Sequence, residues 1–352
     1  MLQPIELAHF LVRKVDSTFR ENALDRGLRP RYTAGGMQLY PTPENPLPAG
    51  AICVPVKTRD GKNLRAMYAQ AENPKGTVVV IGGRGDFMER YFETMRDLLA
   101  RGFAVASFDF RGQGGSQRLL RNPLRNHVGD FRDYDEDFAA VMTQVVIAQC
   151  PKPYLALAHS TGGHVLLRNL RRRNWFARAV VVAPLVGLLY GLWPLALVRV
   201  LVFLSTSLGL GWMFLPGQKH ESLGRDDFPD NPLTSDRTRW MRDSITLERA
   251  PQLGVGAPTF SWLKAARKST AALKSMRLRE RFTCPVLLVA AGLDRVIDNE
   301  AMHRFADRIP GIAIVVIRES LHDILTERDE IRNQFFAVFD AFIEDSEQRA
   351  AA

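Results

Sequence analysis

The stretch YLALAHSTGGHVLL, residues 154–167, decides the fold, because an apolar strand pattern gives way to a helical one at a serine between small residues. It comes close to the G-x-S-x-G turn that presents a nucleophilic serine at the end of a strand, with Ala158 in place of the first glycine. A serine after a strand is also a good helix N-cap. The stretch therefore predicts a strand-to-helix turn, and it leaves Ser160 as either a nucleophile or an ordinary turn residue.

Similar short apolar runs recur on both sides of this turn, with helical patterns between them. Near-continuous Val, Ile and Leu runs that alternate with helices indicate a mostly parallel sheet with helices on both faces, an α/β fold. A hairpin turning at Asp60-Gly61 comes before the runs, and an amphipathic helix over 329–342 follows them. The predicted strands cover 77–83, 104–110, 153–158, 179–184, 285–292 and 312–317.

One region breaks the alternation, because about a hundred residues lie between the strand ending near residue 183 and the next one. We expect a lead-in over 1–50, a core of 51–183 and 281–352, and an apolar cap inserted at 184–280. A membrane-spanning helix is an alternative, because a span takes about 20 apolar residues. Pro194 and Arg199 interrupt the stretch and favour the cap. A buried structural subdomain is the third alternative.

Three reactive side chains follow predicted strands. Ser160 comes after the strand at 153–158, Asp294 after that at 285–292, and His322 after that at 312–317. Functional groups collect at the carboxyl ends of parallel strands, and the chain order Ser, Asp, His is that of the α/β-hydrolase triad. Serine needs such partners, because a histidine must take its proton and a carboxylate must orient the histidine.

Other candidates have structural interpretations. Asp298 directly precedes a helical pattern and is better placed as an N-cap, while His164 and His303 fall within helices. Strand alternation predicts that His159 points away from Ser160. The oxyanion of an acyl-transfer reaction needs two backbone N–H donors, and we expect them at Thr161 and, by position in the loop after the first parallel strand, at Arg84.

Composition narrows the class of protein. The chain has 352 residues, a net charge of +9 and a pI near 9.7. Its basic clusters lack interleaved aromatic residues, which argues against nucleic acid and leaves a solvated basic face or an anionic membrane surface. Its three cysteines lack metal-ligand spacing and read as free thiols of a reducing compartment. No secretory signal is evident, so we expect a cytoplasmic protein. The basic charge also allows peripheral contact with the inner face of the membrane.

Several motifs together resemble one known family. DFRGQGGSQR at 109–118, AHSTGGH around Ser160, GLDRVIDNEA around Asp294 and SLHDILTE around His322 are similar to the bacterial lysophospholipase and monoacylglycerol lipase branch of the α/β-hydrolases. The resemblance implies Ser160 as nucleophile, Asp294 as acid and His322 as base. It also implies ester substrates with a single acyl chain on glycerol or a glycerophosphate head group. We expect that a serine hydrolase of this kind needs no metal or organic cofactor. Two positions depart from the family, Ala158 and the loop Gly82-Gly83-Arg84-Gly85.

The apolar insertion fits such a lipid ester, because pockets for apolar ligands are mostly hydrophobic. A hydrolase of small soluble esters and a non-catalytic lipid-binding protein with the same fold remain the alternatives, and the oligomeric state is not predicted. The side chains expected to contact the acyl chain are Leu188, Tyr190, Trp193, Phe203 and Trp212.

Overall fold

A computed structural model describes residues 37–189, 194–217, 221–222, 224–276 and 281–351 of the chain. At its centre is an eight-stranded sheet with the strand order β1-β2-β4-β3-β5-β6-β7-β8. β1 and β2 form an antiparallel hairpin that joins β4, and all other pairs are parallel. The predicted α/β fold is confirmed. The strands are β1 Ile52–Lys57, β2 Asn63–Ala69, β3 Thr77–Ile81, β4 Ala104–Phe108, β5 Tyr154–His159, β6 Arg178–Val182, β7 Val286–Ala291 and β8 Ile312–Ile317.

Helices cover both faces of the sheet. Alternate residues of the central strands point to opposite faces, so each face carries its own hydrophobic cluster. Val79 and Ala156 belong to one hydrophobic cluster and Val80 and Leu157 to the other. The first face is packed by α2, α3 and α7, and the second by α1 and α8. These helices are α1 Phe92–Ala100, α2 Arg132–Val141, α3 Ser160–Leu170, α7 Asn299–Arg308 and α8 Asp329–Ala351.

The described part of the chain between β6 and β7 is largely helical. It contains α4 Leu195–Ser207, α5 Arg237–Arg249 and α6 Phe260–Lys274, together with short 3-10 turns at Arg225–Asp230 and Pro251–Leu253. Within the described ranges, no helix is both long and apolar enough to cross a membrane. The division into a core and a cap at 184–280 stays a prediction.

A buried ion cluster ties the hairpin to the loop that follows β3. The Arg65 guanidinium pairs with Glu89 at 2.7 Å and with Asp109 at 2.6 Å, and all three side chains are at most 1% exposed. Asp109 also accepts a hydrogen bond from the backbone N–H of Met88 at 2.9 Å. Because buried charges are tolerated only when they are paired, this cluster fixes the chain just beyond the loop 82–87.

Candidate active site

The turn from β5 into α3 has the strained geometry of a nucleophile elbow. Ser160 adopts φ +51, a backbone conformation that residues other than glycine rarely take. Ser160 lies on the first turn of α3, and its carbonyl accepts a hydrogen bond from Leu185 N–H at 3.0 Å. Strained backbone of this kind costs about 1–3 kcal/mol and persists only where the surroundings enforce it.

Ser160, His322 and Asp294 form a hydrogen-bonded series in which the histidine lies between the serine and the aspartate. His322 Nε2 is 3.0 Å from Ser160 Oγ, and His322 Nδ1 is 2.7 Å from Asp294 Oδ2. The other Asp294 oxygen accepts hydrogen bonds from the N–H groups of Val296 and Ile297 at 2.7 and 2.9 Å. Burial raises the pKa of Asp294, but the hydrogen bond and charge of His322 outweigh it and hold the pKa below its usual value.

The loop after β3 packs directly against this elbow. A β-carbon on Gly83 would stand 3.0 Å from the β-carbon of Ser160. Asp86 accepts a hydrogen bond from Gly83 N–H at 2.5 Å, and the Gln113 amide donates to the Gly83 carbonyl at 2.7 Å. Asp86 and Gln113 therefore hold the backbone at Arg84 beside the serine. The sequence stretch 109–118 contains Gln113, but nothing in its pattern indicated this role.

A cluster of charged groups forms one wall of the site. Arg90 pairs with Asp86, with Asp243 of α5 at 2.9 Å and with Asp323 at 2.7 Å. One oxygen each of Asp243 and Asp323 is buried and has no hydrogen-bond partner within the described residues. Such acceptors can take hydrogen bonds from the hydroxyl groups of a bound substrate.

His159 lies in this wall, although strand alternation predicts a side chain turned away from Ser160. Its ring centre is 4.9 Å from that of His322, and its Nδ1 is 3.2 Å from the Tyr91 hydroxyl. Burial lowers the pKa of His159, but the carboxylates of Asp323 and Asp86 outweigh it and raise the pKa overall. His159 is therefore part of the site that the sequence analysis missed.

His164 is structural, in agreement with its prediction. It is fully buried, with Nδ1 donating to the Leu185 carbonyl at 2.7 Å and Nε2 2.6 Å from the Ser269 hydroxyl of α6. Burial lowers the pKa of His164 to about 3. Asp298 is the N-cap of α7, as expected, and accepts a hydrogen bond from Ala301 N–H at 2.9 Å.

A cavity of about 850 Å³ opens above the serine. Ser160, His322 and both expected oxyanion positions, Arg84 and Thr161, line it. Leu188, an expected acyl contact, also lines it. Side chains of α4 and α6 supply much of the apolar wall, including Val198, Val202, Phe260 and Leu263.

Of the other expected acyl contacts, two lie outside the described residues and two do not line the cavity. Tyr190 and Trp193 lie outside the described residues. Phe203 is 65% exposed and does not line the cavity, because α4 turns Val202 inward and the next residue outward. Trp212 is also absent from the lining. It packs against the hydrophobic cluster between α4 and α6, with the Arg125 guanidinium 4.6 Å from its ring centre.

The family described as serine aminopeptidase, S33 (Hydrolase_4) matches residues 72–329. The chain belongs to this family. It is an α/β-hydrolase, and the family resemblance inferred from the sequence motifs is confirmed.

Relatives of known name are similar along most of this Hydrolase_4 chain. The lysophospholipase L2 of Escherichia coli is 29% identical over 79% of the chain and 84% of its own length. The probable lysophospholipase L2 of Haemophilus influenzae is 24% identical over 82% of the chain and 92% of its own length. Among solved structures, a soluble variant of the monoglyceride lipase of Saccharomyces cerevisiae superposes with a TM-score of 0.66, at 18% identity, over 90% of the chain and 98% of its own length.

The close crossing at the elbow predicts that the addition of a single carbon at Gly162 is damaging. A β-carbon on Gly162 would stand 2.6 Å from the Ile81 carbonyl oxygen and would also meet that of Gly82. Because backbone cannot move aside as a side chain does, we expect Gly162→Ala to lower the free energy of unfolding by about 2–3 kcal/mol. Displacement of the elbow should also lower the hydrolysis rate about 100-fold.

Urea unfolding and ester hydrolysis measure these effects, with Gly129→Ala as the matched control. A β-carbon on Gly129 would have no neighbour within 4 Å, so its stability should change by less than about 0.5 kcal/mol. A Gly162→Ala protein as stable and active as the wild type would contradict the close crossing.

Proposed function

We propose that this α/β-hydrolase releases a fatty acid from lysophospholipids or from mono- or diacylglycerols through an acyl-enzyme. The observation that carries the proposal is the hydrogen-bonded series Ser160, His322 and Asp294 at the floor of an apolar cavity. The names of the relatives, lysophospholipase L2 and monoacylglycerol lipase, support the substrate class.

The first step is the attack of Ser160 Oγ on the ester carbonyl carbon, while His322 Nε2 takes the hydroxyl proton. Asp294 accepts the Nδ1–H of His322 and stabilises the imidazolium that forms. The carbonyl π electrons move onto the oxygen, and the backbone N–H groups of Thr161 and Arg84 stabilise that oxyanion. Each such donor contributes about 100- to 1,000-fold in rate.

The tetrahedral intermediate then collapses. The ester C–O bond breaks, His322 returns the proton to the departing glycerol oxygen, and the acyl group remains on Ser160. Water repeats the sequence: His322 removes its proton, hydroxide adds to the acyl carbon, and the Ser160 Oγ–acyl bond breaks with reprotonation of the serine. The products are a fatty acid and the deacylated alcohol, and the chemistry requires no cofactor.

The shape and polarity of the cavity support an acyl chain as the bound group. We propose that residues 184–280 act as a cap whose inward side chains, including Leu188, surround the chain. A cavity of about 850 Å³ is at the upper end of the range for small-molecule sites. Arg90 and its carboxylate partners Asp243 and Asp323 also line the cavity, and the carboxylates can accept hydrogen bonds from a hydroxylated alcohol. A hydrolase of small soluble esters would gain nothing from such an apolar wall.

Hydrolysis of a matched ester series tests this function. With purified protein, we expect kcat/KM for a long-chain lysophospholipid or monoacylglycerol to exceed that for a short-chain soluble ester. A fluorophosphonate probe should label Ser160 covalently. Ser160→Ala should abolish labelling and lower hydrolysis on the order of 10⁴-fold or more. Preference for short esters would favour the small-ester alternative, and failure of the probe to label would favour a non-catalytic lipid-binding protein.

Two neighbouring carboxylates test the assignment of the acid. Asp294→Asn should lower kcat on the order of 10⁴-fold, because an amide no longer holds His322 in the required tautomer. Asp298→Asn is the matched control and should change kcat less than about threefold, because asparagine caps a helix as well as aspartate does. Equal losses in the two variants, measured by steady-state hydrolysis, would contradict the assignment.

We further propose that α4 contacts an anionic membrane surface. Its outward face exposes Phe203 at 65% and continues to Leu208 at 72%, and Arg199 is exposed on the same helix. A contiguous exposed apolar surface marks an interaction site, and positive charge beside it favours anionic lipid. Membrane contact at the cap would deliver a lipid ester near the cavity.

Vesicle flotation measures this contact. The double variant Phe203→Ser, Leu208→Ser should reduce the bound fraction on phosphatidylglycerol-containing vesicles about tenfold or more, because two exposed apolar side chains that would enter the lipid are lost. Ile147→Ser is the control, because it changes a residue that is 44% exposed and lies after α2, away from α4 in the chain. This variant should bind vesicles as the wild type does. Equal binding of all three proteins would contradict a role for α4.

A further inference from the structure

The cavity contains an arginine that the proposed chemistry uses only through its backbone. The Arg84 side chain extends into the cavity beneath the cap. Its Nη1 donates to the Gly256 carbonyl at 3.3 Å, and its Cζ stands 5.8 Å from the centre of the Trp262 ring. Gly256 lies in the segment that leads into α6, and Trp262 lies in α6 itself. Arg84 is therefore held by one carbonyl and one aromatic face.

Within the described residues, no ion pair involves Arg84, and the nearby Asp86 carboxylate is bound by Arg90. Glu221, an exposed carboxylate of the same lining, makes no ion pair with Arg84. Surrounding protein lowers the pKa of Arg84, but arginine stays protonated in proteins. The side chain is exposed and unpaired among the described residues, so its N–H donors are accessible to an anionic ligand group.

We propose that the Arg84 side chain binds the phosphate of a lysophospholipid head group while the N–H of the same residue faces the oxyanion. This rests on the proposed function and narrows it to substrates with a phosphodiester. The phosphate of a lysophospholipid is separated from the ester carbonyl by the glycerol carbons. The path from the backbone nitrogen of an arginine to its Cζ has as many covalent bonds as the path from that carbonyl carbon to the phosphorus, so one substrate molecule can reach both groups.

The geometry of the guanidinium favours phosphate over a neutral hydroxyl. Arginine presents five N–H donors in a planar fork that matches phosphate in a bidentate manner. One donor of Arg84 is directed to the Gly256 carbonyl, which leaves others for the ligand. The Trp262 face restricts the plane of the fork. Less orientational freedom is then lost on binding.

Arg90 is a poorer phosphate site, although it lines the same cavity. Its guanidinium is already paired with Asp86, Asp243 and Asp323, and these carboxylates would repel a phosphate. Arg295 is the useful comparison, because it also lines the cavity, is exposed and makes no ion pair within the described residues. Among the described residues, no carbonyl or aromatic ring orients Arg295 as Gly256 and Trp262 orient Arg84.

The test compares lysophosphatidylcholine with a monoacylglycerol of the same acyl chain. For Arg84→Gln, we expect the ratio of kcat/KM values, lysophosphatidylcholine over monoacylglycerol, to fall about 10- to 100-fold. The loss should appear mainly in KM. Any effect of the substitution on the backbone N–H lowers kcat/KM for both substrates and cancels in the ratio. Arg84→Lys should lose less, because it keeps a point charge for phosphate without the fork.

Arg295→Gln is the matched control, and its ratio should stay within about threefold of the wild-type value. Fluorophosphonate labelling of each variant verifies that its site is folded. An unchanged ratio in Arg84→Gln, or a fall only in Arg295→Gln, would overturn the proposal while leaving ester hydrolysis intact. Wild-type protein that cleaves monoacylglycerol but not lysophosphatidylcholine would do the same. Protein that cleaves neither would refute the proposed function and this inference with it.

Discussion

The crossing of α3 over the end of β3 is the constraint on which the rest of the site depends. The backbones approach so closely that Gly162 has no room for a β-carbon beside the carbonyls of Ile81 and Gly82. The approach brings the first N–H groups of α3 next to the loop that carries Arg84, and Ser160 takes φ +51 to make the turn. The proposed chemistry depends on this proximity, because it requires a serine hydroxyl and two backbone N–H donors to face one carbonyl group.

Charge pairing holds the rest of the chain around that crossing. Arg90 joins Asp86 of the loop after β3, Asp243 of α5 and Asp323 beside His322. One guanidinium thus connects the loop, the insertion and the segment that carries the histidine. Buried ion pairs contribute little net stability, because desolvation offsets their attraction. Their effect here is geometric, since each partner fixes a different segment of the site.

The sequence predicted what strand periodicity and sheet topology determine. Parallel strands end at one edge, so the residues after them, Ser160, Asp294 and His322, could be grouped from spacing alone. Positions that depend on packing between distant elements could not. α4 is apolar on most of its surface, so its pattern does not reveal that Phe203 faces outward. Gln113 lies in a glycine-rich loop with no periodicity, and its contact with Gly83 arises only from the fold.

The alanine that replaces the first elbow glycine shows the same difference between side-chain and backbone packing. Ala158 is the partner of Ile81 on β3 and Val181 on β6, and its methyl group lies in the hydrophobic cluster beneath α3. Its neighbours there are side chains, which can adjust to one carbon. Gly162 faces carbonyl oxygens, which cannot. The two small positions of the elbow are therefore not equivalent, and this chain keeps glycine at the one where the backbone allows nothing larger.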